Sequence, residues 1–364
     1  MTKRIAFICS VESAKLSDAH IFKDLCLVPI LLGEYLGYEV SIVTTEMNET
    51  LLQQSFPAVK FEQVPIGIDY VANMNAYLVK HAKNIDLVFA IGPYPSYLSI
   101  LQTYKQFNPN GKVYMKLDVN RFWLSRLKTY PYFLELLQLC DLLTSECVSI
   151  QTDIREFSQL DVQHIPNGFY EYFHTEPVQF HEKKNRILSV GRLDAPEKQT
   201  IFTIKAFLAA QLTDWELRLV GPMSESFQQE IKQLLDSHPY PAQVTMVGPI
   251  SDKMQLEEEY RKAKIFCLTS TVECFAHVFA EAAKNGCYIV TTDVDGAADI
   301  TQQQRFGRIH PTHDWESIAR TLQQVTHQEA LLENTCLQLQ ADARKELNWQ
   351  HIVKDVAAYL NEKK

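Results

Sequence analysis

Short, nearly continuous apolar runs alternate with longer amphipathic segments from the start of the chain. "RIAFIC" (4–9) is followed by the helix-like "FKDLCLVPILLGEYLGY" (22–38), and then by "EVSIVTT" (39–45). The runs continue with "IDLVFAIG" (85–92), "GKVYMKLD" (111–118) and "CDLLTSE" (140–146). Strands of this texture, separated by helix-length segments, predict a parallel sheet covered on both faces. Gly33 and Gly37 are expected to close the first helix and turn the chain into the next strand.

The pattern breaks at "HIPNGFYEYFHTEPVQFHEKKN" (164–185), where Pro166, Gly168, Pro177 and a polar cluster suggest a domain joint. It then restarts. Strands are expected at "RILSV" (186–190), "WELRLVG" (215–221), "VTMVG" (244–248), "KIFCLTS" (264–270) and "CYIVTTD" (287–293). Helices are expected between them at "KQTIFTIKAFLAAQL", "SFQQEIKQLLDSH", "MQLEEEYRKA" and "HVFAEAAKNG". Two successive series of this kind predict an α/β protein of two Rossmann-like domains facing across a cleft, with ligand at the carboxyl ends of the strands.

Composition narrows the function classes. A length of 364 residues suits two domains, and 46% hydrophobic with 22% charged residues describes a globular chain. A net charge of -9 disfavours broad nucleic-acid affinity, so an anionic ligand needs a local basic site. The run Ile5–Cys9 is too short for a cleavable signal or a spanning helix. Eight cysteines, at 9, 26, 140, 147, 267, 274, 287 and 336, form no C-x-x-C pair and sit mostly in apolar runs, which reads as buried reduced thiols in a cytoplasmic protein.

Two segments carry candidate chemistry. In "ILSVGRLDAPEKQT" (187–200), Gly191, Arg192 and Lys198 follow a strand, where free backbone N–H groups and a helix dipole favour an anion and two cations add to the attraction. A surface arginine and lysine without function is the plainer reading. In "TSTVECFAHVFAEAAKNG" (269–286), Glu273 is expected in the loop after a buried strand and Glu281 about two turns into the next helix, which Gly286 caps. A carboxylate accepts two hydroxyl groups at once, as a vicinal diol requires, and the N–H groups from Cys274 to His277 suit a phosphate. The alternative makes Glu273 an N-terminal cap and Glu281 a half-exposed helix residue.

The ordered signatures of the second half resemble the family-4 retaining glycosyltransferases of the GT-B fold. They are "VGRL" followed by Lys198, "LRLVG" (217–221), "YRKAKIFCLTSTVECFAHVFAEAAKNG" (260–286) with seven residues between its two glutamates, and "YIVTTDVDGAADI" (288–300). "HIPNGFYEYF" (164–173) is similar to the family's segment at the domain joint, and "NWQHIVKDVAAYL" (348–360) to its closing helix. The resemblance implies an acceptor domain over 1–172, a sugar-nucleotide domain over 173–345, and a closing helix over 346–364 that crosses back to the first.

It further implies transfer of a hexosyl or N-acetylhexosaminyl group from a nucleotide diphosphate sugar to a hydroxyl acceptor with retention at the anomeric carbon, as in polysaccharide or other glycoconjugate synthesis in bacteria. Arg192 and Lys198 would hold the diphosphate, Glu273 the donor sugar with the amides at Phe275 and Ala276, and Glu281 the ribose; no cofactor or metal is implied. Three departures stand out: Gln199 and Ala276 replace usual glycines, and "ICSVESAKLSDAHIF" (8–22) lacks the glycine-rich loop that often follows the first strand. They motivate a rival reading, a non-catalytic acceptor-recognition subunit for a partner glycosyltransferase. An epimerase or phosphorylase on the same scaffold is a third.

In the first domain, Lys112–Tyr132 carries five cations and one anion with aromatic residues interleaved. Such a stretch suits a membrane surface or a lipid-diphosphate acceptor, with Asp118 and Arg121 as acceptor candidates; an amphipathic helix with a solvated face is the plain alternative.

Overall fold

The computed structural model describes residues 2–65, 69–238 and 243–362. The chain divides into two compact units, one of Met1–Tyr170 with Trp349–Lys364 and one of Glu171–Asn348. The last two residues of the expected closing helix lie outside the described residues.

The first unit is built on seven parallel strands, β1 (Arg4–Ile8), β2 (Glu39–Thr44), β3 (Lys60–Gln63), β4 (Leu87–Ile91), β5 (Lys112–Lys116), β6 (Leu142–Ser145) and β7 (Val162–His164). Their order across the sheet is β3-β2-β1-β4-β5-β6-β7. The second unit has six parallel strands, β8 (Lys184–Val190), β9 (Glu216–Val220), β10 (Gln243–Gly248), β11 (Ala263–Leu268), β12 (Tyr288–Thr292) and β13 (Gly307–His310), in the order β10-β9-β8-β11-β12-β13. The two Rossmann-like domains expected from the alternation are therefore present. In each, the chain first builds toward one edge and then resumes on the other side of its starting strand, so the order reverses between β1 and β4 and between β8 and β11. Open α/β sheets hold ligands at the carboxyl ends of the strands at such reversals.

Burial explains why some strands were legible and others were not. All five residues of β4 and of β12 are buried, as expected for strands covered on both faces. By contrast β3, at an edge, has no buried residue, and β7 and β13 are short edge strands; none of the three forms an apolar run.

In the first unit Phe7, Phe89 and Tyr114 meet edge-on across β1, β4 and β5, with ring centroids 5.4 and 5.2 Å apart. The closing helix Trp349–Glu362 adds Trp349, Ile352, Val353 and Val356 to this core, beside Leu27, Ile30 and Leu31 of the helix Asp24–Leu36. The backbone N–H of Trp349 donates to the Phe169 carbonyl at 3.0 Å. The two glycines of that first helix have different tasks. Gly37 caps it at φ 67°, whereas Gly33 lies inside it, where a Cβ would come within 2.1 Å of Val40 Cγ2. Gly33 thus serves close packing onto β2, a correction to its expected role in ending the helix.

Candidate functional site

The strand reversal in the second unit brings two βα loops side by side. After β8 come Gly191, Arg192 and a single 3₁₀ turn, Pro196–Lys198, which leads into the helix Thr200–Ala210. Gly221, at the end of β9, has φ 141°, and a Cβ there would lie 1.8 Å from the Gly191 carbonyl oxygen. Only glycine admits this approach, which sets the path of the chain out of β8.

The loop after β11 is fastened to that turn by hydroxyl and backbone contacts. Thr269 Oγ1 donates to the Gln199 carbonyl at 2.9 Å and lies 2.9 Å from Thr203 Oγ1. The Thr271 N–H donates to the Glu197 carbonyl at 2.8 Å, and Thr292 Oγ1, at the end of β12, donates to the Ser270 carbonyl. Within this frame the Lys198 ammonium donates to Glu273 Oε1 at 2.5 Å, and Ser270 Oγ donates to the same oxygen at 2.6 Å. Charge-assisted bonds in such a shielded place are strong and geometrically specific.

Arg192 shares the turn but behaves differently. It donates to Glu197 Oε1 at 2.6 Å and its side chain is 71% exposed, against 16% for Lys198. One cation is therefore shielded and the other exposed at the surface.

Glu273 is not a helix cap. The helix His277–Lys284 begins after Ala276, which occupies the N-cap position without a side-chain cap bond. Phe275 and Ala276 are buried, and Gly296, at φ 79°, lets the Phe275 ring sit where a Cβ would be 2.7 Å away. Glu281 is the fifth residue of this helix, in its second turn and so nearer its start than expected. It is half-buried and accepts from the Tyr260 hydroxyl at 2.7 Å. Burial pushes its carboxyl above the ordinary range; the Tyr260 hydrogen bond, Lys253 and His277 pull it back, and Glu257 pushes it further up.

The two departures from the family pattern differ physically. Gln199 adopts φ 50°, a left-handed conformation that glycine takes without strain, and its side chain steadies the turn by donating to the Pro196 carbonyl at 2.7 Å. Ala276 has φ -63° and needs no glycine.

In the first unit, Asp118 lies two residues beyond β5, exposed and at φ 44°, with Arg121 starting the helix Arg121–Leu127. The basic stretch around them does not form one surface. Lys116 is fully buried between Asp24 Oδ2 at 2.6 Å and Glu146 Oε1 at 2.5 Å, and Lys112 donates to the Leu360 carbonyl. Burial works against the Lys116 charge, but Asp24 and Glu146 outweigh it and hold the ammonium well above the ordinary lysine value. Burial likewise pushes Glu146 up to about 7 against the pull of Lys116, with Asp118 adding to the rise. Glu146 Oε1 also accepts from the Asp118 N–H at 3.2 Å, while Oε2 is buried without a hydrogen-bond partner. What faces solvent is Arg121, Phe122, Arg126 and Tyr130.

Sequence reasoning missed Glu197, Thr269, Ser270 and Tyr260 at the first site, and Asp24 and Glu146 in the first unit. Hydroxyl and carboxyl groups at strand ends are ordinary in sequence; only the adjacency of β8 to β11, and of β5 to β6, reveals their partners. The eight cysteines form no disulfide, and six of them are buried. Among the described residues there is no group of three or more His, Cys, Asp or Glu that could hold a metal, and no helix long and apolar enough to cross a membrane.

Residues 173–346 match the family described as Glycosyl transferases group 1. A curated relative, exopolysaccharide phosphotransferase SCO2592 of Streptomyces coelicolor, is 29% identical over 173 residues; these make up 46% of this chain and only 17% of that protein. Among solved structures, Anabaena Alr3699/HepE in complex with UDP aligns over 100% of both chains at 18% identity with a TM-score of 0.74. The same protein has been solved with UDP-glucose. The lipopolysaccharide outer core galactosyltransferase WaaB, in its apo form, aligns over 99% of this chain and 100% of its own at 16% identity with a TM-score of 0.73. The chain has the GT-B fold, and the match to the group 1 glycosyl transferases falls within its second unit.

Proposed function

We propose that the chain is a glycosyltransferase that moves a sugar from a nucleotide diphosphate sugar to a hydroxyl acceptor, with retention at the anomeric carbon. The observation that carries this reading is the Lys198–Glu273 pair, held at 2.5 Å where the ends of β8 and β11 adjoin. A fixed ammonium there neutralises charge that grows on the diphosphate as the glycosidic bond breaks, and such preorganised electrostatics is the largest usual contribution to catalysis. Arg192, exposed on the same turn, turns from Glu197 to the diphosphate when it arrives. Glu273 takes sugar hydroxyls beside the amides of Phe275 and Ala276, and Glu281 takes the ribose diol. The complexes of Alr3699/HepE with UDP and UDP-glucose favour a uridine nucleotide.

On the acceptor side, Asp118 orients the hydroxyl, Arg121 steadies a glycan or lipid-linked acceptor, and exposed Phe122 and Tyr130 among arginines make peripheral contact with an anionic membrane. Buried thiols outside any disulfide are in keeping with a reducing, cytoplasmic setting. No metal enters the proposed reaction. The test is incubation of the purified chain with a panel of sugar nucleotides and scoring of nucleoside diphosphate release. Binding of none of them overturns the proposal. Binding without turnover, restored by a second subunit, replaces it with the acceptor-recognition role.

A further inference from the structure

We propose that Tyr260 is a positioning residue for the nucleotide, its hydroxyl holding the Glu281 carboxylate in the orientation that receives the ribose diol. This rests on the proposed donor site. Tyr260 lies near the end of the helix Lys253–Lys262, directly before β11, and is 1% exposed. Its ring packs beside Phe266 of β11 at a centroid distance of 6.0 Å, so its hydroxyl is anchored to the strand whose loop carries Glu273. That hydroxyl donates to Glu281 Oε2 at 2.7 Å. A carboxylate has about four acceptor positions, so one donor fixes its plane and leaves the rest for a ligand.

A second clip joins the same two helices. Lys284 Nζ lies 2.7 Å from Glu257 Oε1, and both side chains are largely shielded. Glu257 and Tyr260 are three residues apart, as are Glu281 and Lys284, so each helix presents two partners one turn apart to the other. The clips divide the work. The ion pair holds the helices together; the tyrosine addresses the carboxylate that faces the nucleotide.

The distinction has a measurable sign. Glu281 must be ionised to accept two hydroxyl groups, so nucleotide affinity falls as pH falls through its pKa. The groups acting on it are Tyr260, Lys253 and His277, which favour the ion, and Glu257 and burial, which oppose it. Removing the hydroxyl raises the Glu281 pKa and moves the loss of affinity to higher pH. Removing the Glu257 charge moves it to lower pH, although it cuts the other clip and lowers stability.

The experiment is calorimetric titration of uridine, adenosine and guanosine diphosphates into the full chain and its Tyr260→Phe and Glu257→Gln variants between pH 5.5 and 8.5. With the tightest of the three nucleotides, Tyr260→Phe is expected to bind about tenfold more weakly at pH 5.5 and about threefold more weakly at pH 8.5, and Glu257→Gln to shift the profile oppositely. Unchanged affinity and profile in Tyr260→Phe overturn the inference. So does a pH-independent loss that tracks a lowered melting temperature, which would mark a packing role. A parent chain that binds none of the three removes the donor-site reading itself, an outcome distinct from both.

Discussion

The Lys198 ammonium lies 2.5 Å from Glu273 Oε1, and neither side chain is more than 16% exposed. The two residues are 75 positions apart in sequence and adjacent because β8 pairs with β11. Each satisfies the other, and Ser270 supports the shared oxygen. Lys198→Ala removes the fixed cation and leaves Glu273 with the serine alone. Loss of one preorganised donor typically lowers turnover by about 10²- to 10³-fold, and that is the expected fall in kcat. Steady-state kinetics with the accepted sugar nucleotide checks it; turnover within twofold of the parent removes Lys198 from the reaction.

Glu197 has a different relation to its cation. It pairs with Arg192 at 2.6 Å on an exposed turn, where it competes with any incoming diphosphate. Exposed pairs of this kind are worth about 0–1 kcal/mol and are screened by salt. Glu197→Gln is therefore expected to tighten nucleoside diphosphate binding by about two- to fivefold at low ionic strength, with the gain shrinking at 0.5 M or roughly that salt concentration. Weaker binding in the variant would show that the carboxylate helps place Arg192 for the ligand.

Stability of the first unit should depend on pH through Glu146. Its carboxyl rises from an ordinary value of 4.5 to about 7 in the folded chain, so its contribution is fully present below pH 4.5 and is lost as pH rises through 7. Glu146→Gln keeps an acceptor for Lys116 and for the Asp118 N–H without taking a charge. Denaturant titrations from pH 5 to 8 are expected to show the parent losing stability and the variant nearly level; parallel curves would place the pH dependence elsewhere.

What sequence could reveal followed the physics of burial. Strands such as β4 and β12 announce themselves because both faces are covered, while β3, at an edge with no buried residue, reads like a loop. Motif order singled out Arg192, Lys198, Glu273 and Glu281 as candidates, but not their partners. Glu197 looks like any surface acid, and Tyr260 like any helix aromatic, until the sheet order sets their helices and turns beside the candidates. Lys116 shows the reverse error. Counted along the chain it adds to a basic stretch, yet it is buried between Asp24 and Glu146 and contributes nothing to surface charge.

That burial sharpens the membrane proposal into a test among neighbouring cations. Phe122 is 58% and Tyr130 45% exposed, beside exposed Arg121 and Arg126; the Lys128 side chain is only 26% exposed and lies 3.3 Å from Asp153 Oδ1. Each basic residue near an anionic surface contributes about 1 kcal/mol, so replacing Arg121 and Arg126 together by Ser should weaken binding to phosphatidylserine-containing vesicles by roughly 30-fold. Phe122→Ser should weaken it further and in a salt-independent way, since the ring acts by burial among acyl chains. Lys128→Ser, at a largely shielded side chain, should change little. Co-sedimentation with vesicles at low and high salt separates these effects. Equal losses from Lys128→Ser and the arginine variants would mean that bulk charge, not this face, drives the contact, and no vesicle binding by the parent would leave the helix Arg121–Leu127 to a glycan acceptor.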